Sequence, residues 1–106
     1  MRIDGKKAVI AWSMAIGSRL GVQPTAIFGR DRRRKVVEAR FAVAVAMADQ
    51  LGYGPTEIGR LLNRDHGAVS HAVTTVSSWL ETDREFAHRW KSLVVPAVVE
   101  GWRSMV

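Results

Sequence analysis

Arg64-Asp65-His66-Gly67-Ala68-Val69-Ser70-His71-Ala72 follows a short amphipathic segment and lies some thirty residues after the basic cluster Arg30 to Lys35. The stretch reads as the second half of a helix-turn-helix. Such a motif needs a scaffold helix, a recognition helix opening on polar side chains, and separate positive charge for phosphates. Pro55 after Gly54 suits a helix start, and Ile58, Leu61 and Leu62 follow the i, i+3, i+4 rule of the scaffold helix. Asn63 and Arg64 form the turn, and Asp65 can cap the next helix by accepting backbone N–H bonds. Val69, Ala72, Val73, Val76 and Leu80 then fall along one stripe. The leading face, with His66, Gly67, Ala68, Ser70 and His71, is left for a ligand.

Outward from this motif the periodicity is helical and no strand alternation persists. The expected fold is all-α, a compact bundle of five to six helices. Lys7 to Leu20 carries Val9, Ile10, Trp12, Ile16 and Leu20 at near-helical spacing. Pro24 suits a brief helix from Gln23 to Phe28, before Gly29 breaks it. Lys35 to Leu51 is the longest and most apolar segment, and a helix apolar on nearly every face belongs at the centre of a bundle. Gly52 and Gly54 end it. Thr82 and Glu85 stand in the T-x-x-E capping-box arrangement, which predicts a last helix with Phe86, Trp90, Leu93 and Val94 on one face. Its stripe continues through Val98, Trp102 and Met105, and Pro96 predicts a kink or a stop within it. Residues 1–106 read as a single domain in which 83–106 forms a C-terminal capping or dimerisation helix.

The chain has 106 residues, enough to bury a core without disulfides or metal, and no cysteine. Sixteen Lys and Arg against ten Asp and Glu leave a formal charge of +6, which favours polyanionic partners. The charge is focused: Arg30, Arg32, Arg33, Arg34, Lys35 and Arg40 face only Asp31 and Glu38 in one short stretch between apolar segments. No apolar run approaches the roughly 20 residues that span a bilayer, so a soluble protein without membrane attachment is expected. His66 and His71 are five apart, a spacing that does not place two ligands on one helical face, and no third ligand is obvious, so no metal site is expected; no cofactor is expected either. No phosphate-cradling glycine loop or paired nucleophile is legible, which argues against an enzyme. Trp12, Trp79, Trp90 and Trp102 sit among Val and Leu at helical spacing and read as core or interface side chains.

The block from about Phe28 to Leu80 resembles the C-terminal DNA-binding domain of the bacterial replication initiator DnaA. The residues that carry the likeness are Arg32-Arg33-Arg34-Lys35, the Ala-rich run Ala42 to Met47, Glu57-Ile58-Gly59, and Arg64-Asp65-His66-Gly67-Ala68-Val69 with Ala72. The resemblance implies a recognition helix in the major groove and a basic-loop arginine in the adjacent minor groove. Arg33 aligns with that arginine, with Arg32 and Arg34 as close substitutes. Asp65 and His66 match residues that contact base edges, while Arg64 and Lys35 match positions near the backbone. A carboxylate can accept from a cytosine amino group, and an arginine is favoured in a narrow, negative minor groove.

The chain also departs from the family. Gly67 and Ala68 stand where two hydroxyl residues follow the histidine, so the family's usual box sequence is not expected as the target. Phe41 replaces a basic residue and Arg40 is offset by one position, about 100° round a helix. A nucleotide-hydrolysing module has no counterpart here. Ser70 and His71 face either backbone phosphate or solvent.

The expected function is sequence-preferring binding of double-stranded DNA in the cytoplasm, at the nucleoid, by a small regulator of transcription or replication. A homodimer through the C-terminal helix would double the DNA contact. The alternative is a helical protein-protein adaptor that keeps the fold with weak or no specific DNA binding.

Overall fold

A computed structural model describes residues 3–106, and among them every regular element is helical. Helix α1 (Gly5–Leu20) opens on Asp4, whose carboxylate accepts the Lys6 N–H at 3.1 Å. Helix α2 (Pro24–Phe28) is the brief second element, and α3 (Arg34–Leu51) the long central one. Helices α4 (Pro55–Leu62) and α5 (His66–Thr82) form the helix-turn-helix. Helix α6 (Arg84–Arg89), a π-helical turn (Trp90–Val94) and α7 (Val95–Met105) follow without a break in right-handed helical dihedrals. Taken as one continuous segment, they bring the bundle to six helices, as expected.

The core lies where α1 and α3 cross beneath α7. Trp12, Ile16, Ile27, Val36, Val43 and Met47 are fully buried there, and Ile58 and Leu62 bring α4 onto the same cluster. The Trp12 indole N–H donates to the Val98 carbonyl at 3.1 Å, and its ring meets Trp102 edge to face at 5.6 Å. Gly101 permits this approach, because a Cβ there would collide with the Trp12 ring. A smaller cluster of Val45, Val76 and Phe86, lined by Phe41 and Trp79, fixes α5 and α6 to α3.

Several sequence expectations are corrected. Ile10 is 54% exposed, and the buried face of α1 is Ala8, Val9, Trp12, Ala15 and Ile16. Leu80 is likewise exposed; Trp79, one position back and about 100° round the helix, takes its place by stacking on Phe41 at 6.0 Å. Thr82 does not start the last helix. It ends α5, its hydroxyl donating to the Ser78 carbonyl, while Asp83 accepts the Phe86 N–H at 3.0 Å and serves as the cap. The helix does not stop at Pro96. The wider π turn, closed by the Val95 N–H on the Trp90 carbonyl, sits just before the proline and accommodates its missing donor.

Candidate nucleic-acid interface

The turn of the helix-turn-helix is built from short-range constraints. Asn63 adopts left-handed dihedrals (φ 57°) and closes α4. Gly59 lets the turn fold back, since a Cβ there would run into the Arg64 carbonyl. Asp65 then opens α5, its Oδ1 accepting the Ala68 N–H at 2.7 Å. His66, Gly67, Ala68, Ser70 and His71 are all exposed on the leading face, while Val69, Ala72 and Val76 point into the bundle. His71 sits edge-on to Phe41, 6.3 Å between ring centres.

Two arginines join this turn to the basic loop. Arg40 is only 8% exposed, and its guanidinium serves four carbonyls: Ile27 at 2.7 Å, Ala26 and Asp31 at 3.0 Å, and Gly29 at 3.2 Å. A planar fork of five N–H donors can span such a set where a lysine ammonium cannot. Burial, and next the nearby Arg64 charge, lower the Arg40 pKa. Arg64 reaches back from the turn to the same Gly29 carbonyl and also donates to the Asn63 carbonyl at 3.0 Å. The loop and the start of the recognition helix are thereby held side by side. Between them lies a hollow of about 420 Å³ lined by Arg30, Arg32, Arg40, Asn63, Arg64 and Asp65.

The four predicted basic residues take different roles. Arg32 and Lys35 are exposed and make no ion pair among the described residues. Arg33 holds Asp31, with Nη2 to Oδ2 at 2.6 Å, Nε to Oδ2 at 3.0 Å and its backbone N–H to Oδ1 at 2.9 Å. The side-chain bond from Arg33, then its backbone N–H, lower the Asp31 pKa to about 2, and the same pairing raises that of Arg33. Arg34 belongs to α3 rather than to the loop. Its guanidinium lies 4.1 Å from the Trp79 ring centre and its Nε–H donates to Glu38 at 2.9 Å. Glu38 also accepts from Arg89 at 2.7 Å, so α3 is bridged to α6.

Sequence reading missed Arg40 as the organiser of the loop, and Asp31 and Glu38 as partners of the arginines. Asp31 had a local signal, a carboxylate two residues before Arg33 in position to accept its N–H. Arg34 and Glu38 had the i, i+4 spacing of a helical ion pair. The partners of Arg40, nine to fourteen residues away, had none.

The bacterial dnaA protein helix-turn-helix family matches residues 14–76. Among curated proteins, the chain is 33% identical over 66 residues to the chromosomal replication initiator protein DnaA of Bacteroides thetaiotaomicron, covering 61% of this chain and 14% of the relative. It is also 33% identical over 70 residues to the DnaA protein of Deinococcus deserti, covering 66% of this chain and 15% of the relative. The DnaA protein of Bacteroides fragilis is 32% identical over 66 residues. The aligned part of the chain thus spans about one seventh of the length of these relatives. The matched region runs from α1 through the basic loop to the buried stripe of α5, and the chain belongs to the bacterial dnaA protein helix-turn-helix family.

Proposed function

We propose that this domain binds double-stranded DNA with sequence preference and regulates transcription or replication at the nucleoid. In this reading the start of α5 enters the major groove. His66 and Asp65 address base edges, Ser70 and His71 face the groove wall, and Gly67 and Ala68 bring the backbone close to the DNA. Arg33 of the basic loop, flanked by Arg32, enters the adjacent minor groove, while Lys35 and Arg64 lie near phosphates. The observation that carries the reading is the joint between loop and turn: Arg40 and Arg64 share the Gly29 carbonyl and hold two basic surfaces next to one exposed helix start. The printed name of the relatives, a chromosomal replication initiator, agrees with a DNA ligand.

We read 83–106 as a cap on a single domain. The Trp90, Val94, Val98 and Trp102 stripe supports this, because it packs against the core, with Trp102 donating to Gln50 at 2.8 Å. Self-association through this helix would fall to Val95 and Val99, which are about half exposed beside a groove between α3 and α7. The same strip supports the second reading, a protein-protein adaptor.

Selection of bound duplexes from a random pool at near-physiological salt tests the proposal without assuming an operator. An enriched motif is expected, along with a log-log salt slope of roughly −4 to −5 for about 4 to 6 neutralised phosphates. Folded protein that enriches nothing and shows a flat salt response would leave the adaptor reading in its place.

A further inference from the structure

Three consecutive arginines, Arg32, Arg33 and Arg34, are held in three different ways. Arg34 is built into the fold by Glu38 and the Trp79 ring. Arg32 has no ion-pair partner among the described residues and lines the hollow beside Asp65. Arg33 is between these extremes. Its side chain is 69% exposed, yet its Nε and Nη2 edge is occupied by Asp31, whose own side chain is 26% exposed. That edge is one with which a guanidinium makes paired contacts to phosphate oxygens. The carboxylate also accepts the Arg33 backbone N–H, so it cannot swing away without changing the start of α3.

We propose that Asp31 competes with DNA for Arg33, so that the loop releases this arginine only where the nucleic acid outbids an intramolecular carboxylate. The inference rests on the DNA-binding reading above. The competition sharpens discrimination: weakly negative or poorly shaped sites leave Arg33 on Asp31, and a narrow, strongly negative groove takes it. Asp31 stays charged through the physiological range, so the competitor is always present. It places one negative charge in the loop and removes one cation from the set that displaces counterions from DNA.

The test compares the wild type, Asp31→Asn, Arg33→Ala and the double variant on one A·T-rich duplex across a salt series. Asparagine keeps an oxygen for the Arg33 N–H while removing the charge. Asp31→Asn is expected to tighten binding about two- to fivefold, the scale of an exposed ion pair. The variant is one unit more positive, so the salt slope should also steepen, by no more than about 0.9. Arg33→Ala should weaken binding more in the Asp31→Asn background than in the wild type. Asp31→Ser, which also retains an acceptor for the loop, should reproduce the Asp31→Asn result if charge is the cause. Competition is overturned if Arg33→Ala has the same effect in both backgrounds, whether or not Asp31→Asn, with helical circular dichroism intact, binds tighter than wild type. Absence of duplex binding by all four proteins would instead remove the DNA reading, and the competition with it.

Discussion

Replacing Arg40 by alanine tests the structural argument most directly. Its guanidinium makes four hydrogen bonds to the carbonyls of Ala26, Ile27, Gly29 and Asp31, and the residue is 8% exposed. A hydrogen bond from a charged donor contributes about 1.5–3 kcal/mol when its partner cannot be rehydrated. Ile27 is fully buried, whereas the other three residues are partly accessible to water. Crediting the Ile27 bond in full and the rest only in part gives a destabilisation of about 2–4 kcal/mol. For a domain of this size that lowers Tm by about 10–20 °C. Urea denaturation followed by circular dichroism at 222 nm measures it. Arg40→Lys should recover less than half of the loss, because one ammonium cannot reach carbonyls spread over the loop. At a temperature where Arg40→Ala is still folded, its duplex affinity should also fall, since the loop is no longer tied to the turn. An Arg40→Ala protein within about 0.5 kcal/mol of wild type, the range of an ordinary surface substitution, would refute the claim that this residue organises the loop.

Other substitutions separate structure from recognition. Asp65→Ala should lower stability by about 0.5–2 kcal/mol through loss of the α5 cap, while Asp65→Asn should restore most of it, so any binding defect that persists in the asparagine variant belongs to base contact; denaturation and duplex titration of both give the answer. Gly59→Ala, whose new methyl group meets the Arg64 carbonyl, should destabilise by about 1–3 kcal/mol, and an unchanged melting curve would contradict the turn geometry described. His66→Ala should keep the wild-type melting temperature and lose about 1–3 kcal/mol of discrimination in a binding series with single base changes; equal discrimination would remove His66 from the interface. Because the folded-state pKa of Asp31 is lowered to about 2, its contribution to stability is complete above about pH 4 and is lost as pH falls toward 2. The stability difference between wild type and Asp31→Asn should therefore be constant from pH 5 to 8 and narrow only in acid, as acid titration of both proteins would report.

The interface hollow gives the Gly67 and Ala68 departures a physical setting. Ala68 uses its N–H for the Asp65 cap, and neither residue brings a side-chain donor to the exposed face. An adjoining apolar concavity of about 490 Å³ is walled by Phe41, Val37, Val69 and Ala68, with Arg32, Arg64 and His71 among its lining residues. Within the DNA-binding reading proposed above, small residues at this leading edge and arginines beside it leave shape and backbone charge to be read alongside the base contacts of Asp65 and His66.

Amino-acid sequence alone determined the all-helical fold, a count of five to six helices and most of their limits, because these follow from interactions no more than four or five residues apart. The glycines after α1 and α3, the prolines opening α2 and α4, and the Asp65 cap are local in this sense. The candidate contact residues were marked locally as well: at the start of α5, His66, Gly67, Ala68, Ser70 and His71 flank the buried stripe of Val69 and Ala72 and are left exposed. Where two local choices compete closely, the periodicity was one residue out, as with Leu80 against Trp79 and Thr82 against Asp83. Tertiary structure decided what the arginines do. Arg40 sits next to a family basic position, yet it is turned inward to loop carbonyls, and Glu38 is shared with Arg89, 51 residues away. A guanidinium on a helix surface has the same sequence signature whether it meets water, DNA or a buried carbonyl. Only packing fixes which of these lies within reach, since the partner's position depends on the folding of every segment between them.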